Sequence, residues 1–147
     1  MAIYLNNNVG VKLATAAAPT VPSIDISTYV TSVTLTQTFD ELEVTAMGDV
    51  AHRYVAGLQA ATLQIDFLND WASSQVMQTL NAAAGATLAV SMITVKGTAV
   101  SAANPTYQFS ILVNNLTPVA GAVGDEAMSS LSFTVNSALT VSPSVAF

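Results

Sequence analysis

Residues 29–67, YVTSVTLTQTFDELEVTAMGDVAHRYVAGLQAATLQIDF, decide the fold class. From Thr31 the chain alternates, with Val33 and Leu35 on one side and Ser32, Thr34 and Thr36 on the other, the pattern of a half-buried strand. Leu42, Val44 and Ala46 alternate with Glu41, Glu43 and Thr45 up to Gly48. Leu63, Ile65 and Phe67 then alternate with Thr62, Gln64 and Asp66, the clearest strand of the three. An acidic turn in Asp40-Glu41-Leu42-Glu43 and a loop between Gly48 and Gly57 are expected in this stretch. The same stretch holds five of the nine carboxylates, Asp40, Glu41, Glu43, Asp49 and Asp66, together with Arg53 and the single histidine, His52.

Upstream, residues 1–28 read as an N-terminal arm, poor in charge and interrupted by Pro19 and Pro22, which remove backbone donors. Downstream, Asn69 or Asp70 is placed to cap a helix, Met77, Leu80 and Ala84 follow at helical spacing, and Gly85 supplies a stop. One helix near residues 71–83 is predicted. Residues 87–95 read as a strand apolar on both faces and therefore central or covered, ending at a Lys96-Gly97 turn. After a loop at 98–105, Tyr107, Phe109, Ile111 and Val113 form another alternating strand. Pro118, Gly121 and Gly124 mark a loop, and Leu131, Phe133 and Val135 form the last core strand. The tail 137–147 is apolar enough to dock, with Phe147 as its anchor. These elements predict a mainly β domain: an antiparallel sandwich or barrel over residues 29–136, one packed helix and extended terminal arms.

At 147 residues the chain fits one domain, a size that buries about 68–70% of its unfolded surface. Charged residues make up only 8% of it, against about 25% in an average domain. So little charge does not coat an ordinary monomer, which points to surfaces covered by other subunits. Three cations, Lys12, Arg53 and Lys96, stand against nine acids, and the net charge of −6 predicts repulsion from nucleic acid. There is no cysteine for disulfides or thiolate metal sites. No apolar run reaches the about 18 residues of a membrane span, and the first residues lack the basic start and apolar core of a signal peptide. The chain reads as soluble and unprocessed, with no membrane anchor.

Glu41 and Glu43 are the pair to weigh for acid–base chemistry. On one face of a strand they stand roughly 6–7 Å apart, from a rise of about 3.3 Å per residue, a spacing compatible with a glycosidase pair. Their place opposite Leu42 and Val44 instead predicts a solvated face or the wall of a wet channel. His52 would have to serve any triad or imidazole metal site, and no serine lies in a nucleophile elbow. Asp66 and Asp70 match no calcium loop, and VAGAVGD lacks the lysine of a phosphate loop. No catalytic residue, metal or cofactor is expected. Arg53 has two readings, a local pair with Asp49 or a grip on a carboxylate of another subunit.

The order of features resembles the major tail tube proteins of long-tailed bacteriophages. The features are Val33 and Leu35, Asp40-Glu41-Leu42-Glu43, Thr45-Ala46-Met47-Gly48-Asp49, Gly57-Leu58, Phe67 to Asp70, Asn104-Pro105-Thr106-Tyr107-Gln108-Phe109, and Val119 to Asp125. The likeness covers roughly residues 29–136, and it rests on the order of short motifs. It implies a virion protein, made in the host cytoplasm, that forms hexameric rings stacked into a hollow tail tube without a sheath. Other tail proteins would meet the tube ends, and DNA would pass through unbound. It implies that residues 40–58 bridge neighbouring rings, which makes Asp49, His52, Arg53 and Tyr54 the expected inter-subunit contacts. An acidic lumen would let DNA pass, and Glu41, Glu43, Asp66, Asp125 and Glu126 are its candidate lining. The alternatives are a capsid decoration or cement protein, a glycoside hydrolase using Glu41 and Glu43, and a cell-surface adhesion module.

Overall fold

The computed structural model describes residues 8–15 and 22–147, so the rest of the expected arm, Pro19 included, lies outside the described residues. Eight strands and one helix follow in order: β1 Gly10–Leu13, β2 Ile24–Asp25, β3 Val30–Glu43, β4 Tyr54–Leu68, α1 Val76–Ala82, β5 Thr87–Ile93, β6 Thr106–Leu112, β7 Met128–Val135 and β8 Thr140–Ser142. They form one antiparallel sheet in the order β2-β1-β5-β6-β7-β4-β3, with β8 also on β6, and the sheet does not close. The expected mainly β fold with a single helix is present.

Strand β6 divides this sheet. It meets β7 only at Ile111↔Val135 and Leu112↔Thr134, while Thr106, Tyr107 and Gln108 pair with β8 instead. Both halves turn apolar rows to one core: Val11, Leu13, Leu88, Val90 and Phe109 from one, Leu63, Ile65, Phe67, Leu131 and Phe133 from the other. Period two explains the arrangement, since Thr62, Gln64, Ser130, Ser132 and Thr134, the residues between those of the second half, face solvent. Phe67 and Phe133 are the largest fully buried side chains. Burying each is worth about 1.5–3 kcal/mol.

The helix is shorter than its apolar spacing predicts. Asp70 does catch a free amide, from Ala72 at 2.8 Å, but in a tight local turn rather than a helix cap. Ser74 then adopts a left-handed φ of 61°, and α1 starts only at Val76. Seven residues do not hold a helix alone. Buried Val76, Met77, Thr79 and Leu80 hold it against the sheet, and Gly85, at φ 77°, ends the turn that follows.

The acidic turn is corrected as well. Asp40 to Glu43 continue β3, which runs fourteen residues without a break, and the reversal falls later, at residues 44–53. Acidic side chains are tolerated on a strand whose faces are in water, and the ladder with β4 keeps the backbone extended. Gly57, expected to bound the loop, lies inside β4 at a bulge, where Gly57 and Leu58 oppose Asp40. A Cβ there would lie 3.0 Å from that of Asp40 and 3.3 Å from the Leu42 side chain, so the two strands approach closely.

Strand β1, within the segment read as an arm, lies between β2 and β5 with Val11 and Leu13 buried. The C-terminal tail folds back over the outer face of this half. Thr106 Oγ1 donates to the carbonyls of Ser142 and Val145, and the Phe147 ring fills the space beside Gly10, where a Cβ would come within 2.5 Å of it. Lys12 Nζ donates to the Phe147 backbone oxygen at 2.9 Å and lies 4.4 Å from its ring centre.

Candidate assembly surface

Beyond the body, β3 and β4 project as a two-stranded ribbon. Strand β7 accompanies β4 only from Thr62, which pairs with Thr134, so among the described residues β3 alone neighbours residues 54–61 of β4. Strand β3 is itself an edge strand. The ribbon therefore leaves the backbone groups of both its edges without a strand partner among the described residues. An isolated hairpin is marginal in water, and free edges are templates for pairing.

Its side chains are as open as its edges. Phe39, Leu42, Tyr54 and Val55 are about half exposed, and Leu58 is 80% exposed. Register assigns the faces. Glu41, opposite Ala56, and Glu43, opposite Tyr54, share the face of Phe39, whereas Leu42 lies opposite Val55 on the other face. One side of the ribbon thus carries Glu41, Glu43 and the aromatic rings, the other Leu42, Val55 and Leu58 with Asp40 among them. Alternation places the two glutamates opposite Leu42 and Val44 and predicts for them a solvated face or the wall of a wet channel. Both rows are in solvent, and these aliphatic residues are what the sequence reading missed, because alternation predicts a buried face and does not show whether anything in the same chain covers it.

The reversal at 44–53 is built by its own polar residues. Thr45 Oγ1 donates to Glu43 at 2.8 Å and accepts from the Arg53 amide, while the Ala46 amide donates to Asp49 at 2.9 Å. Gly48, at φ 99°, makes the bend. His52 Nδ1 lies 2.6 Å from Glu43 Oε1, with its ring 6.3 Å from that of Tyr54. Hydrogen bonds from His52 and then Thr45 hold the Glu43 carboxyl below its usual range. Arg53 reaches Asp49 through a single 3.7 Å contact and stays largely exposed. Met47 and Val50 stand fully in solvent at the apex. Asp49, His52, Arg53 and Tyr54 are thus brought together at the tip.

The five candidate lumen acids are not brought together. Glu41 and Glu43 are on the ribbon. Asp66 pairs with Ser32 and Ser130 near the other end of β4, on the opposite face by register, and its Oδ1 is buried without a hydrogen-bond partner. Ten residues separate it from Ala56, the partner of Glu41. That is about 33 Å of strand at the usual rise. Asp125 and Glu126 are exposed on the loop before β7.

The glutamate pair sits in no cleft. A cavity of about 540 Å³ lies elsewhere, floored by Ala89, Ser91, Gln108 and Ser110 beneath the C-terminal tail and lined by no acid, base or histidine. Among the described residues no three His, Asp or Glu side chains converge to hold a metal, and no helix is long and apolar enough to cross a membrane. Comparison with protein families and with curated proteins found no match for the chain.

Proposed function

We propose that this chain is a structural protein of a phage virion, whose copies close into hexameric rings and stack into the hollow tail tube through which DNA leaves. One observation carries the reading: a fourteen-residue edge strand continues into a ribbon whose two edges have no strand partner among the described residues, with aliphatic residues in water. Such a ribbon is an unfinished sheet. Pairing with the ribbons of neighbouring copies would satisfy its edges and cover Leu42, Val55 and Leu58 together. A ring of such contacts is heterologous and closes by rotation, and stacking the rings makes a filament.

Charge supports the same reading. Two of the three cations are occupied within the fold, Lys96 by Asp25 at 2.6 Å and Lys12 by Phe147. A duplex with about one negative charge per 1.7 Å would find little to hold it. The hydrolase alternative requires one carboxyl kept protonated by burial or a like charge. Glu43 is exposed and shifted the other way, so it does not suit the acid role, and the pair stands on an open ribbon with no cleft to bury either carboxyl.

Negative-stain electron microscopy of the purified protein tests the proposal. Long hollow tubes with a regular axial repeat are expected. Particles that stay monodisperse monomers at high concentration overturn it, and discrete trimers would favour a capsid decoration protein.

A further inference from the structure

The outer face of β5 and β6 carries polar groups that the fold leaves unused. Register sets Lys12, Ser91, Gln108 and Thr140 in one row across β1, β5, β6 and β8, neighbours standing about 4.8 Å apart. Lys12 is taken up by Phe147, with its Nζ on the backbone oxygen and over the ring. Ser91 is not: it is 3% exposed, and its hydroxyl is buried without a hydrogen-bond partner among the described residues. Such a hydroxyl is uncommon in a native fold and points to a group that the described residues do not supply.

The C-terminal tail arches over this row. Its near end is fixed where the Ser110 amide donates to Ser137 Oγ at 2.9 Å, its middle where Thr106 donates to the Ser142 and Val145 carbonyls, and its far end by the Phe147 ring beside Gly10. Between these fastenings lies the cavity of about 540 Å³ floored by Ala89, Ser91, Gln108 and Ser110, a volume within the roughly 300–1,000 Å³ of small-molecule sites. Its lining is neutral throughout. An ion would lose its hydration there and find no counter-charge, so the cavity suits an uncharged ligand. Hydroxyl and amide groups both donate and accept, and in a row they suit a ligand with several hydroxyls along its length. Ala89, Ala146 and Phe147 give the C–H faces between those hydroxyls an apolar surface to rest on. Hydroxyls set around an apolar ring are the chemistry of a sugar.

We infer that the cavity beneath the tail is a binding site for a neutral sugar, with Ser91, Gln108 and Ser110 as its hydrogen-bonding floor and residues 137–147 as its cover. The Ser91 hydroxyl is shielded, so the tail lifts to admit the ring and closes over it. The site lies in the half of the sheet away from the ribbon, goes beyond the tube reading and does not depend on it.

Saturation-transfer difference spectra of the full chain test this, because the method tolerates large assemblies. Glucose, galactose and mannose are the probes, at about 10 mM each, enough to fill a site of about 1 mM affinity. Transfer to at least one of them is expected. The uronic acid of that sugar, with a carboxylate in place of the primary alcohol, is expected to bind at least about tenfold more weakly. No transfer to any probe overturns the inference and leaves a cavity that holds water only. Equal binding of the uronic acid overturns the assignment to a neutral ligand. Ser91→Ala removes an unpaired group and folds readily, and it is expected to weaken the bound sugar about fivefold, the loss of one neutral hydrogen bond, with Gln108→Leu doing likewise. Binding unchanged in both variants, whatever their melting temperatures, places the sugar elsewhere and overturns the site.

Discussion

Asp25 shows how a single side chain fastens an edge strand to the body. It sits in the two-residue strand β2, accepts from the Ser27 amide, and pairs with Lys96 at 2.6 Å across to the turn after β5. Burial pushes its carboxyl up, but hydrogen bonds from Lys96 and Ser27 and the Lys96 charge outweigh that, holding it below the ordinary 3.8. A carboxyl depressed in the folded state contributes its stability above pH 3.8 and loses it as the pH falls through the folded value. Both partners are about one-third exposed, so the pair is worth no more than about 1 kcal/mol. Asp25→Asn is therefore expected to lower the urea midpoint slightly at neutral pH, with the gap to the parent closing as the pH is taken well below 3.8. A gap of the same size at both pH values would show that the charge is not its source. Glu43 obeys the same sign, but its side chain is about half exposed and its partners His52 and Thr45 belong to the tip, so its protonation acts on the shape of the loop.

At the scale of elements the ribbon separates from the body. Its strands share hydrogen bonds with each other, while the core cluster draws nothing from residues 39–60. Replacing residues 44–53 with Asn-Gly, the residues of a two-residue hairpin turn, is expected to shift the body's stability by no more than about 1 kcal/mol and to abolish assembly. Thermal melting and sedimentation of the same preparation check both halves, and a variant that still assembles would remove the tip from the interface. The sequence carried the body strands well. Leu63, Ile65 and Phe67 in β4 and Leu131, Phe133 and Val135 in β7 alternate because one face of each is buried. It misplaced features whose local chemistry resembles something else: acids at 40–43 resemble a turn, Asn69 and Asp70 resemble a helix cap, and β1 and β8 are too short for a period to show. In each case tertiary pairing overrode the local preference.

Across the whole molecule, charge and shape both concern what the chain meets. With a net charge of −6 and two of its three cations engaged inside the fold, it is expected to leave a fluorescent DNA duplex unshifted even at about 50 mM salt, where phosphate contacts are strongest. Retardation at that salt, abolished by Arg53→Gln, would show a nucleic-acid surface at the tip. The acidic balance behind this expectation is legible in composition alone. Which acids share a wall is not, because strand parity, the bulge at Gly57 and the length of β4 together put Glu41 and Asp66 on opposite faces and far apart.

The narrow junction between β6 and β7 has a mechanical consequence. Two residue pairs join the strands there, whereas β4 and β7 share seven and β5 and β6 another seven. The body is therefore two long ladders joined at a short hinge, to which Ser110 adds a bond from the Asn136 amide at 2.7 Å and one to the Ser137 hydroxyl at 2.9 Å, with Phe109, Ile111 and Phe133 packed in the core beneath. A bending load would concentrate at this hinge. Side chains would slide there before any long ladder had to break, so a shaft built from such units would gain its compliance inside each subunit and could keep the joints between subunits rigid.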